Sequence, residues 1–224
     1  MKKLFIIAVV IGLAVTAFAM SDLYVSGDWH YKMTVTVDTP EGVKTGEVVR
    51  GIKTSSSFLQ LGGLPESSSQ IDVRGEAVVI NLDELGQLFG LINWDSYREL
   101  YYSFPFRSDR KKGTNTIPGI KFYNSLPIGS KAELPPEYYP QFVTFEDLDD
   151  PTSVESVDID NLSETFGEGV ELQNITIEIV DEPVSSEILA ILPWLTKINA
   201  NIDGTSITMS NDLSNVLHKG NFIK

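Results

Sequence analysis

The chain contains no cysteine and only two histidines in 224 residues. Without cysteine there is no disulfide, no thiol nucleophile and no thiolate metal site, so an exported chain of this size must rely on burial of its core. With only His30 and His218 available, a serine nucleophile would need one of them within hydrogen-bond reach. Neither lies near a G-x-S-x-G elbow, a motif the sequence lacks. Positive charge is also scarce, with 17 Lys and Arg against 31 Asp and Glu and a net charge of −14. A polyanion would be repelled by that field, which argues against nucleic acid as a partner.

Long apolar runs are confined to the N-terminus. Lys2 and Lys3 precede an apolar run from Leu4 through Val15, and the small residues Ala17 and Ala19 follow. This is the pattern of a secretory signal peptide over residues 1–19, cut before Met20. The run is shorter than the roughly 20 residues a spanning helix needs, and no cysteine follows it for lipid attachment. Loss of the two lysines takes the net charge from −14 to about −16. No second run of spanning length appears, so no integral membrane segment is expected after cleavage. A lysine-rich, short leader suits a bacterium and places the mature chain in the periplasm. Residues 20–224 are enough for a single domain with a real core.

In "WHYKMTVTVDTPEGVKTGEVV", Trp29, Tyr31, Met33, Val35 and Val37 alternate with His30, Lys32, Thr34, Thr36 and Asp38. Period-two alternation predicts a half-buried strand. Pro40 and Gly42 suit a turn, which predicts an antiparallel hairpin with a loop longer than two residues. His30 falls on the outward face, with no ligand-like neighbour. "IDVRGEAVVINL", residues 71–82, predicts a strand buried on both faces or bent by a bulge at Gly75. Glu76 there sits beside Arg74, as a structural ion pair or as a perturbed carboxylate. The intervening "FLQLGGL" reads as a loop, since no strand, helix and lysine context makes its Gly-Gly a nucleotide cradle.

Leu85, Leu88, Phe89 and Ile92 fall at roughly helical spacing, and a helix is predicted over part of 93–103. Trp94, Tyr97, Tyr101 and Tyr102 cluster there. They are candidates for stacking on a ligand such as a carbohydrate or a peptidoglycan fragment, or else core aromatics. Residues 107–140 lose periodicity among Pro118, Pro127, Pro135, Pro136 and Pro140, which reads as an extended or subdomain connection. It opens with a basic cluster, Arg107, Arg110, Lys111 and Lys112, that is either a solvated loop or a contact for anionic lipid or an acidic partner.

Phe142, Val143 and Phe145 predict a short strand. The acidic segment that follows brings Asp147, Asp149 and Asp150 close together, candidate oxygen ligands for Ca2+, although the ordered spacing of a helix-loop-helix calcium loop is absent. A short helix is predicted from Asp160 or Asn161 to Gly167. "VELQNITIEIV" predicts a strand with Ile175, Ile177 and Ile179 inward. A helix is predicted from Ser185 or Ser186 to Pro193, then a short strand in "ITMS" and a helical turn near Gly220, with His218 a favourable charge at a helix C-terminus.

The motifs "YKMTVTVDTPEGVKTGEVV", "VRGEAVVINL", "LFGLI", "VTFEDLDDPTSVESVDIDNLSETFGEGVELQNITIEIVDEPV" and "ILPWL", in that order, resemble an uncharacterised family of bacterial proteins. The resemblance covers most of the mature chain and implies no activity, cofactor or catalytic residue. Taken together, the expectation is an α+β fold, mainly antiparallel β with a few short helices. Its expected role is binding, with a protein partner in the cell envelope. Two other roles fit the same features: an envelope glycan hydrolase using paired carboxylates, and an immunity or inhibitor protein against an envelope-targeting toxin.

Overall fold

A computed structural model describes residues 24–57, 70–106, 116–205 and 212–224. The segment expected to be a signal peptide, the basic cluster at Arg107–Lys112, and the loop and strand expected in "FLQLGGL" and "ITMS" lie outside the described residues. The fold is α+β, built from two antiparallel sheets and a few short helices.

The first sheet is built on the alternating stretch. Strands β1 (Tyr24–Thr39) and β2 (Gly42–Ser57) form a hairpin, and the five-strand order is β3-β2-β1-β9-β6, with β3 at Ile71–Arg74, β6 at Lys131–Glu133 and β9 at Glu171–Val180. Tyr31, Met33, Val35 and Val37 are fully buried while the residues between them stay half-exposed, as period two requires. The β9 isoleucines face the same core: Tyr31 pairs with Ile179, Met33 with Ile177 and Val35 with Ile175. The hairpin connection is two residues, Pro40 and Glu41, shorter than expected. Thr39 closes it by donating its hydroxyl to the Gly42 carbonyl at 2.8 Å, and Gly42 takes φ +123°, a backbone conformation side chains disfavour.

The second sheet has order β4-β5-β7-β8, with β4 at Val78–Asn81, β5 at Gln87–Gly90, β7 at Phe142–Phe145 and β8 at Val154–Val157. Residues 71–82 are therefore two strands rather than one. Gly75, at φ +129°, lets the chain leave the first sheet and enter the second. The helical spacing of Leu88 and Phe89 is overridden by strand pairing, Val79 with Phe89 and Ile80 with Leu88. Phe89, Phe145, Trp194 and Phe222 form an edge-packed aromatic core on this sheet. The indole N–H of Trp194 donates to the Leu148 carbonyl at 2.8 Å.

The helices are short: α1 (Tyr97–Ser103), α2 (Ile117–Asn124), α3 (Leu162–Phe166), α4 (Ile188–Ile191) and α5 (Leu213–Val216). The proline-rich connection thus contains a helix, α2. Pro118 sits in its first turn, where a missing N–H costs nothing, and the Thr116 hydroxyl accepts from Gly119 N at 3.3 Å. Helix α4 starts later than Ser185, because that residue instead bonds β2: its N–H donates to the Val49 carbonyl and its hydroxyl accepts from Val49 N. Among the described residues no helix is long and apolar enough to cross a membrane.

Two compact units emerge. One comprises residues 1–28, 53–72 and 106–126 and holds α2, where Tyr123 is buried and Phe106 packs on Phe122 at 5.5 Å. The other comprises residues 29–52, 73–105 and 127–224. It contains every residue of the site described next.

Candidate functional site

Four aromatic residues were candidates for a ligand face, and the helix that carries them divides them. Residues four apart share a helix face, so Tyr97 and Tyr101 lie one above the other, with ring centres 5.5 Å apart. Trp94, in the turn before α1, is 70% exposed and 6.5 Å from Tyr97. Tyr101 is buried and meets the buried Trp29 edge-on at 6.3 Å. The row therefore runs from solvent at Trp94 into the core at Trp29. Tyr102 points elsewhere: it is exposed and stacks on Tyr138 at 3.6 Å and 9° between planes. Tyr138 ends a 3-10 turn over Pro136–Tyr138.

The opposite side of α1 carries a buried polar network that sequence reasoning missed. Arg50, fully buried on β2, donates through Nη1 to both oxygens of Glu99 at 2.7 and 2.8 Å. Its Nε donates to the Glu76 carbonyl at 3.0 Å, and Nη2 donates to the carbonyls of Gly90 and Leu91. Tyr31 donates its hydroxyl to Glu99 Oε2 at 2.7 Å. Burial alone would lower the Arg50 pKa, but the Glu99 charge and Tyr31 outweigh it and hold the guanidinium above its usual value. The Tyr31 hydroxyl is pushed well up, first by burial and then by the Glu99 charge. Such a group cannot act as a base near neutral pH, and Arg50 is saturated by fixed acceptors. The network ties the two sheets and α1 together.

Glu76 also serves structure. Its two carboxylate oxygens accept from the backbone N–H groups of Glu187 and Ile188 at 2.8 and 2.9 Å, capping α4. His30 meets the Glu182 carbonyl through Nδ1 at 2.7 Å. His218 follows α5 and caps the next turn, over Lys219–Asn221, in a reciprocal capping box with Asn221.

Asp147, Asp149 and Asp150 hold the turn that contains them. Asp147 Oδ1 accepts from Asp149 N at 2.9 Å, and Asp150 Oδ1 accepts from the N–H and hydroxyl of Thr152. The Thr152 bonds lower the Asp150 pKa. Among the described residues no group of three or more His, Asp or Glu side chains converges as a metal cage would require.

Two cavities open beside the Tyr138–Tyr139 pair. One, of about 160 Å3, is lined by Asn93, Asp95, Arg98, Glu137, Tyr138 and Gln141 together with Tyr139, among others that include the buried Glu99. Arg98 donates to Asp95 at 3.2 Å across its rim. The other, of about 480 Å3, is lined by Tyr139, Asp160, Asn161, Ser163, Glu171 and Gln173, among others. Tyr139 belongs to both. Its hydroxyl is pushed up by partial burial and by the charges of Glu133 and Asp160, so it stays a neutral hydrogen-bond donor. The "PEYYP" segment that supplies these tyrosines had a readable signal, two adjacent aromatics held between prolines.

No protein-family model, curated protein or solved structure matches the chain.

Proposed function

We propose that this chain is an exported periplasmic protein, allied to the bacterial family its motifs resemble, that binds a component of the cell envelope without turning it over. The observation that carries this reading is the 70% exposure of Trp94, whose chain neighbours Asn93 and Asp95 line a polar cavity that Tyr138 also lines. A large indole left in water at such a place is a recognition feature more than a folding one. The buried ionisable groups, by contrast, are committed to structure: Arg50 and Glu99 to each other, and Glu76 to the α4 backbone.

A second reading has one observation in its favour. Asp95 and Glu137 line the same cavity, as paired carboxylates of a glycan hydrolase would.

The test is fractionation of the native cells followed by crosslinked capture with tagged protein, compared with an unrelated exported acidic protein. The expected result is a periplasmic chain beginning at Met20 that retains a specific envelope component, and a Trp94→Ala variant that does not. Cytoplasmic retention, or the same recovery from the control protein, would sink the reading.

A further inference from the structure

We propose that the two cavities meeting at Tyr139 are adjoining subsites of one groove, and that its ligand is an uncharged oligosaccharide. The inference rests on the binding reading above and names its ligand class.

The shape comes first. Tyr139 contributes to the walls of both the 160 Å3 and the 480 Å3 cavity. A ligand filling both must pass Tyr139, so it is a chain and not a single compact molecule. The smaller cavity alone lies below the roughly 300–1,000 Å3 of a drug-sized site and has the scale of one sugar ring.

The lining chemistry selects the class. Carboxylates, side-chain amides and a guanidinium present paired donors or acceptors in a plane, which suits neighbouring hydroxyls on a sugar. Glu137 and Gln141 provide this in one cavity, and Asp160 and Glu171 in the other, while Asp95 and Arg98, Asn161 and Glu164, and Gln173 and Asp38 bond one another at the walls. Tyr138, backed by Tyr102 at 3.6 Å, offers a ring of fixed orientation. The negative potential of an aromatic face attracts the polarised C–H face of a pyranose.

The same features disfavour the alternatives. A protein–protein interface has a core depleted of charge, whereas this groove is lined by charges. Glu137, Asp160 and Glu171 outnumber Arg98, so an acidic glycan or a nucleic acid meets repulsion. A polycation would be drawn to that surplus, but it has no apolar ring face to lay on Tyr138. An uncharged sugar chain escapes the repulsion and has such a face.

The experiment is calorimetric titration, with tryptophan fluorescence alongside, of the full mature chain. The probes are neutral oligomers of N-acetylglucosamine and of glucose, each as dimer and tetramer, with tetragalacturonate and tetralysine as charged comparators. A neutral tetramer is expected to bind about tenfold more tightly than its dimer, since it alone spans both subsites. Tyr139→Ala should weaken the tetramer about five- to tenfold, and Tyr139→Phe should keep the ring and most of the affinity. Unchanged circular dichroism and melting temperature would show that the Ala variant still folds.

Equal affinity for dimer and tetramer would overturn the groove. So would a folded Tyr139→Ala variant with undiminished binding, saturable binding of a charged comparator alone, or no binding by any neutral probe. Capture of an envelope component by a protein that binds no glycan would remove this assignment while leaving the binding reading intact. Cleavage of the tetramer would support the groove and reject the non-catalytic part of that reading.

Discussion

The Arg50 guanidinium and the Glu99 carboxylate meet in the interior, Nη1 lying 2.7 and 2.8 Å from the two carboxylate oxygens, with neither side chain reaching appreciable solvent. Arg50 comes from the long hairpin and Glu99 from α1, so one pair connects segments 49 residues apart in the chain. A buried pair of this kind is costly to break because the surviving charge has nowhere to go.

Replacing Glu99 by Leu, or Arg50 by Met, is therefore expected to destabilise the fold by about 3–5 kcal/mol. The double variant Arg50→Met with Glu99→Leu should lose less than the sum of the single changes, since it leaves no lone charge. Urea unfolding of the four proteins checks this, and strict additivity would contradict it.

Gly46 and Gly90 carry no turn; they are contact points between strands. A Cβ at Gly46 would overlap the Val79 carbonyl oxygen and lie 2.7 Å from Ile80 Cγ1, and one at Gly90 would lie 2.7 Å from Val78 Cγ1. Alanine at either is expected to cost about 1–3 kcal/mol through overpacking. At Gly86, where nothing lies within 4 Å, alanine meets only the backbone penalty of φ +106°. Melting temperatures of the three variants would show Gly46→Ala and Gly90→Ala falling furthest.

Glu76→Gln should loosen the start of α4. The amide keeps one acceptor for two backbone N–H groups and turns an NH2 toward the other. A loss of about 1–3 kcal/mol is expected, with faster amide exchange at Glu187 and Ile188. Unchanged exchange there would show that the cap is dispensable.

Alkaline pH should unfold the protein through its buried tyrosines. Burial raises the Tyr31 and Tyr123 hydroxyls in the folded state, so the fold holds protons that the unfolded chain gives up near pH 10. Their contribution is complete below about pH 10 and falls as pH rises toward the folded values. Tyr123→Phe should make the fall of stability above that pH shallower, measured by urea midpoints over a series of alkaline buffers. An identical slope in the variant would exclude Tyr123 as a contributor.

Recognition should depend on Trp94 far more than on Trp29. Trp94→Ala is expected to leave melting unchanged, since the side chain is mostly in water, while Trp29→Ala, at 7% exposure, should cost about 3–5 kcal/mol. Parallel melting and ligand titration of the two variants separates surface from core, and a large stability loss in Trp94→Ala would place that ring in the core instead.

What the sequence determined by itself was local. The alternation from Trp29 to Val37 specified a strand and its inward face, because a two-residue period leaves only one way to bury five apolar side chains. Ile175, Ile177 and Ile179 specified their face in the same way, and Gly167, at φ +100°, closed the helix that begins near Asn161. What only the tertiary structure decided were the relationships between distant segments. Leu88 and Phe89 carry a helical spacing yet pair as a strand, because β4 and β7 offer partners no local pattern encodes. The cap of α4 comes from Glu76, 111 residues away in sequence, and Arg50 finds Glu99 across the core. The groove is of this second kind: Asp95, Tyr139 and Asp160 sit on separate turns, and only folding sets them around two cavities with a common wall. Short-range periodicity reports which side of an element avoids water. Which elements then meet depends on long-range packing, whose partners a single sequence does not mark.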